Sequence, residues 1–213
     1  MGAAVGILNG GVVNFASSLI KGFGYDALQA SLMQTPGGAF EVVGCIIFGY
    51  ISSFEGWLCW AIILSSLPGV AGLIGLLTIS YDHRLALTAM AWLQNVLGAP
   101  IILCWTLSGV NVSGHTKRTT TIGLFFVFYC AGNICSPHMF LASEAPRYPT
   151  AIQGLLGAYC AFILFGASYW ALCLTQNKLR NRKGERGENL IQEGLEGFDD
   201  LTDGQNHHFR YRL

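Results

Sequence analysis

Apolar residues run along this chain in long unbroken stretches separated by short polar breaks; they neither alternate nor recur on a single helical face. An α-helix needs roughly 20 apolar residues to cross the hydrocarbon core of a bilayer. Six runs qualify, at about 3–20, 30–52, 57–79, 85–109, 119–141 and 153–175. The third and sixth are the clearest, since neither holds an Asp, Glu, Lys or Arg. The first is the weakest, diluted by Asn9, Gly10, Gly11, Asn14, Ser17 and Ser18. Membrane strands would alternate apolar and polar residues over about ten positions, and no such segment is present. The pattern predicts an all-α membrane protein with six transmembrane helices in residues 1–176. A polar, largely disordered tail is predicted over residues 177–213.

Composition agrees with that division. Of the 213 residues, 52% are apolar and 11% charged, where about a quarter charged is usual for a soluble domain. The 12 basic and 12 acidic residues cancel, five of each falling in residues 1–177 and seven of each in 178–213. A body without a basic patch argues against nucleic acid as a partner. The seven cysteines are odd in number, lie in apolar stretches and form no CxxC pair, so they read as packing residues and suggest neither disulfides nor a metal. No cofactor is implied.

Basic residues also set the expected orientation. If the six runs span, the N-terminus, the 53–56 and 110–118 loops and the tail share one side, which carries Lys117, Arg118, Lys178, Arg180, Arg182, Lys183 and Arg186. The other side has Lys21, Arg84 and Arg147. The positive-inside rule then places the N-terminus and tail in the cytoplasm. The sequon Asn111-Val112-Ser113 falls on that side, and a glycan there would overturn the topology.

Polar groups within the spans are the candidates for chemistry, because each is costly in lipid without a partner or a water-filled cavity. Glu41 stands near the middle of its run, about 16 Å of helix from either end. It must be protonated, paired or in a cavity, which suits either proton coupling or a structural hydrogen bond. Asn9, Asn14, Gln94, Asn95 and Asn133 bring amides into the membrane, where amides join helices or bind polar solutes. Asn9, Asn95 and Asn133 sit beside Gly10-Gly11, Gly98 with Pro100, and Gly132 with Pro137, residues that loosen a helix. Trp92 lies one turn before Asn95. Split into two triplets, the runs place Asn9-Gly10-Gly11 opposite Asn95 and Pro100, and Pro36-Gly37-Gly38 opposite Gly132 and Pro137. Interrupted helices in matching places are the mark of inverted three-helix repeats in transporters. An enzyme reading fares worse. Gly166-Ala167-Ser168 is followed by Tyr169, where six-span intramembrane proteases need Gly, and no Ser/His constellation suggests catalysis.

Specific strings sharpen the reading. Asn9-Gly10-Gly11-Val12-Val13-Asn14-Phe15, Ile20-Lys21-Gly22-Phe23-Gly24-Tyr25 and Pro36-Gly37-Gly38-Ala39-Phe40-Glu41 resemble segments seven and eight of the fungal allantoate permease family of major facilitator transporters, the anion:cation symporters. Asn111 to Arg118 is similar to that family's loop between segments ten and eleven. Gly132-Asn133-Ile134 with Pro137, and Ala145-Pro146-Arg147-Tyr148, are similar to segment eleven and the loop after it. Phe198 to Asp203 with Phe209-Arg210-Tyr211 resembles the C-terminal signature. The resemblance implies the C-terminal six-helix half of a twelve-span protein, with a missing N-terminal half as partner. It implies transport of a small organic anion (allantoate, another ureido acid, a vitamin or a short peptide) by proton symport, across the plasma membrane. Asn9, Asn14, Trp92, Asn95, Asn133 and His138 become candidate substrate-binding residues, and Glu41 the candidate proton-coupling residue. Three departures stand out: Ser52-Ser53-Phe54-Glu55-Gly56 lacks the usual basic residues, Ser136 and His138 replace Gly and Gln around Pro137, and Ala151 replaces Gly. The rival reading is a non-transporting membrane interaction or regulatory protein, or a degraded fragment, derived from a transporter half.

Overall fold

The computed structural model describes residues 1–80, 82–145, 147–182, 202 and 209–213. Its regular structure among those residues is all helical: α1 (Gly2–Gly22), α2 (Ala27–Ser53), α3 (Leu58–Thr78), α4 (Arg84–Gln94), α5 (Gly98–Val110), α6 (His115–Cys135) and α7 (Pro149–Arg182), with 3-10 turns at Asn95–Leu97, Ser136–Met139 and Ala142–Glu144.

Local chemistry sets the boundaries. Between α1 and α2, Gly24 turns the chain at φ +92. Asp26 then opens α2 with a capping box, its backbone N–H donating to Gln29 Oε1 at 3.3 Å, which satisfies donors the first turn leaves orphaned. Gly56 and Gly114, at φ +78 and +89, make the turns before α3 and α6. Pro149 begins α7, where a missing N–H costs nothing.

Among the described residues, five helical stretches are long and apolar enough to cross a membrane: α2, α3, α4 with α5, α6 with its following turn, and α7. α1 is 21 residues long, but its apolar part, Gly2–Asn14, is shorter than a span, in keeping with the polar dilution of that run. α7 departs from expectation at its other end. It continues past residue 175 to Arg182, so Lys178, Arg180 and Arg182 belong to a helix and not to the loose tail. Residues 209–213, also expected in that tail, lie against the bundle through hydrogen bonds to α3, to α7 and to Asn111 just beyond α5. The expected disorder of 183–201 and 203–208, with His207 and His208, lies outside the described residues.

The expected interruptions appear in part. α4 gives way to α5 through the 3-10 turn Asn95–Leu97, and α6 ends in the turn Ser136–Met139 around Pro137. The first turn precedes Pro100, whose ring removes the N–H that would close a regular turn there. α1 and α2, however, run straight through Gly10-Gly11 and Pro36-Gly37-Gly38. Packing overrides the weak local propensity at those sites.

Four rods form the centre. Leu8 of α1, Leu73 of α3, Leu87 of α4 and Tyr159 of α7 meet in one buried cluster, and Val5, Ile62, Leu103 and Phe162 in a second. In the most apolar 18-residue stretch of each, 50% of α3 and 56% of α4–α5 is buried, against 11% in α2 and in α6. These two flanking helices turn Val42, Ile46, Tyr50, Leu124, Phe126 and Phe128 outward, an apolar surface far larger than scattered exposed side chains require.

Candidate functional site

Two seams of the bundle carry the polar groups. In the first, α1 lies directly on α6. Gly2, Gly6 and Gly10 repeat every four residues, and a Cβ on Gly6 would come within 3.1 Å of Gly132 Cα. Small residues at this spacing let helix backbones touch. The close approach carries Asn9 to α6, where its Nδ2 donates to Asn133 Oδ1 at 2.9 Å. Asn133 Nδ2 in turn donates to Tyr129 O at 2.9 Å, and Ser136 Oγ to Ile7 O at 2.6 Å. Both asparagines are half-buried.

In the second seam, α2 lies against the break between α4 and α5. Gly37 faces the Asn95 amide, and Gly98, the first residue of α5, faces the Glu41 carboxyl, so that a Cβ on Gly98 would come 3.0 Å from Glu41 Cγ. Trp92 donates its indole N–H to Met33 O at 2.5 Å and lies 5.9 Å, centroid to centroid, from the Phe40 ring. Asn95 closes one side of a shallow groove of about 360 Å³ whose other wall is Ser31, Gln34, Thr35 and Gly38 of α2. Glu41 is exposed on the same helix.

The structure thus gathers five of the seven candidates into two places, Asn9 with Asn133 and Glu41 with Trp92 and Asn95. α1 also touches α4 and the Asn95–Leu97 turn, so the two places sit on adjoining elements. Asn14 and His138 join neither set. Asn14 Nδ2 donates back to Gly10 O within its own helix at 2.8 Å, and His138 is exposed on the 3-10 turn beyond α6.

Ser31, Gln34 and Thr35 were not among the candidates. Their spacing with Gly38, at i, i+3, i+4 and i+7, is a polar stripe on one face of a helix and is readable in the sequence. Gln94 is a core group: nearly buried, it donates to Gly69 O at 2.5 Å and ties α4 to α3.

The Asn9–Asn133 bond permits a direct measurement. Asn9→Ala and Asn133→Ala should each lower resistance to unfolding in mixed micelles by about 1 kcal/mol, with a double-mutant coupling of similar size. A coupling near zero would mean that the two amides act separately.

No family model matches the chain. Three relatives do. The chain is 36% identical over 210 residues to an uncharacterized transporter of Schizosaccharomyces pombe, covering 97% of this chain and 40% of that protein. It is 35% identical over 221 residues to the allantoate permease of Saccharomyces cerevisiae, again covering 97% and 40%. It is 28% identical over 227 residues to an MFS-type transporter of Penicillium expansum, covering 98% and 43%. The chain therefore spans about two fifths of the length of these relatives. With nearly its whole length aligned to fungal transporters and its regular structure made of apolar helices, the chain belongs to the allantoate permease-like major facilitator transporters, as the C-terminal half of such a protein.

Proposed function

We propose that this chain forms the C-terminal six-helix half of a proton-coupled transporter for a small organic anion, complete only when an N-terminal half lies against it. The observation that carries the reading is the similarity to named transporters along 97% of the chain together with coverage of only 40% of their length. In a major facilitator protein the solute lies between two halves that rock about it. The sparsely buried, outward-facing α2 and α6, with the polar groove on α2, offer the surface such a partner would cover.

The six spans are α1, α2, α3, α4 with α5, α6 and α7, in a membrane unit of residues 1–176 followed by the tail. Helix pairing supports two inverted triplets. α1 lies on α6 as the α4–α5 rod lies on α2, α1 on α7 as α4–α5 on α3, and α3 meets α7 across the centre. Exchanging the first and fourth, second and fifth, and third and sixth rods leaves this set of pairs unchanged.

Asn9, Asn133, Asn95 and Trp92 contact the solute in this reading, with Asn14 and His138 reaching it from the rim, and Glu41 carries the proton. A ureido acid such as allantoate fits the donors, since amide side chains both give and accept hydrogen bonds. In this reading the N-terminus and tail face the cytoplasm, which the seven basic residues against three support, and the membrane is the plasma membrane.

Uptake of radiolabelled allantoate in a yeast strain lacking its own permeases tests the proposal. The chain alone should give background uptake. Joined to the N-terminal half of the S. cerevisiae allantoate permease, it should give saturable, acid-stimulated uptake. Uptake by the chain alone would refute the need for a second half, and failure of a well-expressed, membrane-inserted hybrid to move any relative of allantoate would refute the transport reading.

A further inference from the structure

Phe209–Leu213 has no part in the proposed solute site, yet it makes the most concentrated set of long-range hydrogen bonds among the described residues. Phe209–Leu213 lies across the end of the bundle where α2 and α5 finish, α3 begins and α7 runs out. Two asparagines grip its backbone. Asn177 of α7 donates through Nδ2 to Tyr211 O at 2.8 Å and accepts the Tyr211 N–H at 3.0 Å. Asn111, just beyond α5, does the same to the next residue, donating to Arg212 O at 2.8 Å and accepting the Arg212 N–H at 2.7 Å. An asparagine amide used this way reads a peptide as a neighbouring strand would, through donor and acceptor of one residue.

The remaining contacts satisfy helix termini. Leu58 is the first residue of α3 and 2% exposed, so its N–H is one of the orphans of a helix start and has no solvent to turn to. It donates to Leu213 O at 2.8 Å. The Arg212 guanidinium reaches the carbonyls of Ser52 and Ser53, both at 3.4 Å. These close α2, where a cation also complements the helix dipole. The loop that follows, Phe54-Glu55-Gly56-Trp57, has no basic residue of its own. Arg180 donates to Phe209 O at 2.6 Å, and its guanidinium carbon lies 5.3 Å from the centroid of the Tyr211 ring. Asn111 itself is 2% exposed: the sequon asparagine is a buried peptide-binding group.

We propose that this end of the bundle is a binding site for an extended peptide, that Phe209–Leu213 is its ligand in cis, and that its occupation holds the ends of α2, α3, α5 and α7 together as one body. The ligand class is a segment of aromatic–Arg–aromatic–Arg–aliphatic chemistry, read through its backbone by the two asparagines and through its second arginine by the carbonyls of α2. Those four helices come from both triplets of the proposed repeat. The site is defined by contacts within this chain, so it stands or falls apart from the identity of any solute.

The buried thiols of Cys59 and Cys173 report on it. Cys59 follows Leu58, Cys173 lies one turn before Asn177, and both are nearly inaccessible. In a chain keeping only these two cysteines, maleimide labelling in micelles follows the opening of this end. Deleting residues 209–213 should speed labelling at least about tenfold, since several hydrogen bonds are lost together. An acetylated Phe-Arg-Tyr-Arg-Leu peptide should restore the slow rate at saturation, and a scrambled one should not. Asn177→Ala in the otherwise intact chain, which cannot lose the segment, should give an intermediate rate. Unchanged labelling on deletion would overturn the proposal, as would a faster rate that the peptide fails to reverse while Asn177→Ala labels like the parent.

Discussion

Glu41→Gln should abolish proton-driven accumulation of solute by the completed transporter while leaving exchange of labelled for unlabelled solute intact. Of the five acidic residues in positions 1–177, Asp26 caps a helix and Glu55, Asp82 and Glu144 lie in connections or a short 3-10 turn, so Glu41 alone occupies the middle of a long apolar helix. Its carboxyl rests on Gly98, where the absence of a side chain lets α2 and α5 come close beside the Asn95–Leu97 turn. Glutamine keeps the size and hydrogen bonding of the neutral acid but cannot release a proton. The loss should therefore fall on the coupled step. One coupled proton supports about tenfold accumulation per unit of pH difference, from 1.36 kcal/mol per unit. That gradient should collapse to simple equilibration in the variant, measured as the ratio of internal to external allantoate in the hybrid transporter. Full accumulation by Glu41→Gln would remove the coupling role. Loss of exchange as well would make Glu41 a packing or solute-binding residue.

Helix content was legible because the membrane signal is long and additive: a run such as Trp57–Ile79 needs no tertiary information to declare itself. The same averaging hides what happens inside a run. Pro36-Gly37-Gly38 and Asn95 with Pro100 look alike as helix-loosening strings, yet only the second interrupts its helix. At the first, α2 stays regular and uses Gly37 to admit the Asn95 amide, a purpose that depends on a residue nearly sixty positions away. The candidate amides were found because a polar group in a lipid-facing run is conspicuous. Which amides pair was not readable, since Asn9 and Asn14 differ by little in their surroundings and only the register of α1 on α6 sends one to Asn133 and the other back to Gly10. The tail misled for a related reason. Phe209–Leu213 carries two arginines and reads as solvated, but backbone groups and helix ends recognise it, and composition does not register these.

Gly6→Ala should destabilise the bundle by about 2–4 kcal/mol, an effect usually reserved for core disruption, although alanine is the better helix former by about 1 kcal/mol. The sign follows from what the new methyl would meet. At Gly6 it would lie 2.9 Å from the carbonyl carbon of Tyr129 and closer still to its oxygen, and a methyl on Gly132 would lie 2.7 Å from the Ile7 nitrogen. These are backbone atoms of a facing helix, which cannot rotate away as a side chain would, so α1 and α6 must separate. Separation would break the Asn9–Asn133 and Ser136–Ile7 bonds at once, leaving polar groups stranded in an apolar seam. Gly157 supplies the contrast, because a methyl there meets nothing within 4 Å and Gly157→Ala should be neutral or stabilising. The midpoint of unfolding in detergent titrations should drop for Gly6→Ala and hold or rise for Gly157→Ala, while Gly6→Leu should prevent a monodisperse protein from forming. Equal midpoints for the two alanine variants would mean that α1 and α6 are not in backbone contact, and the amide pair would lose the seam that positions it.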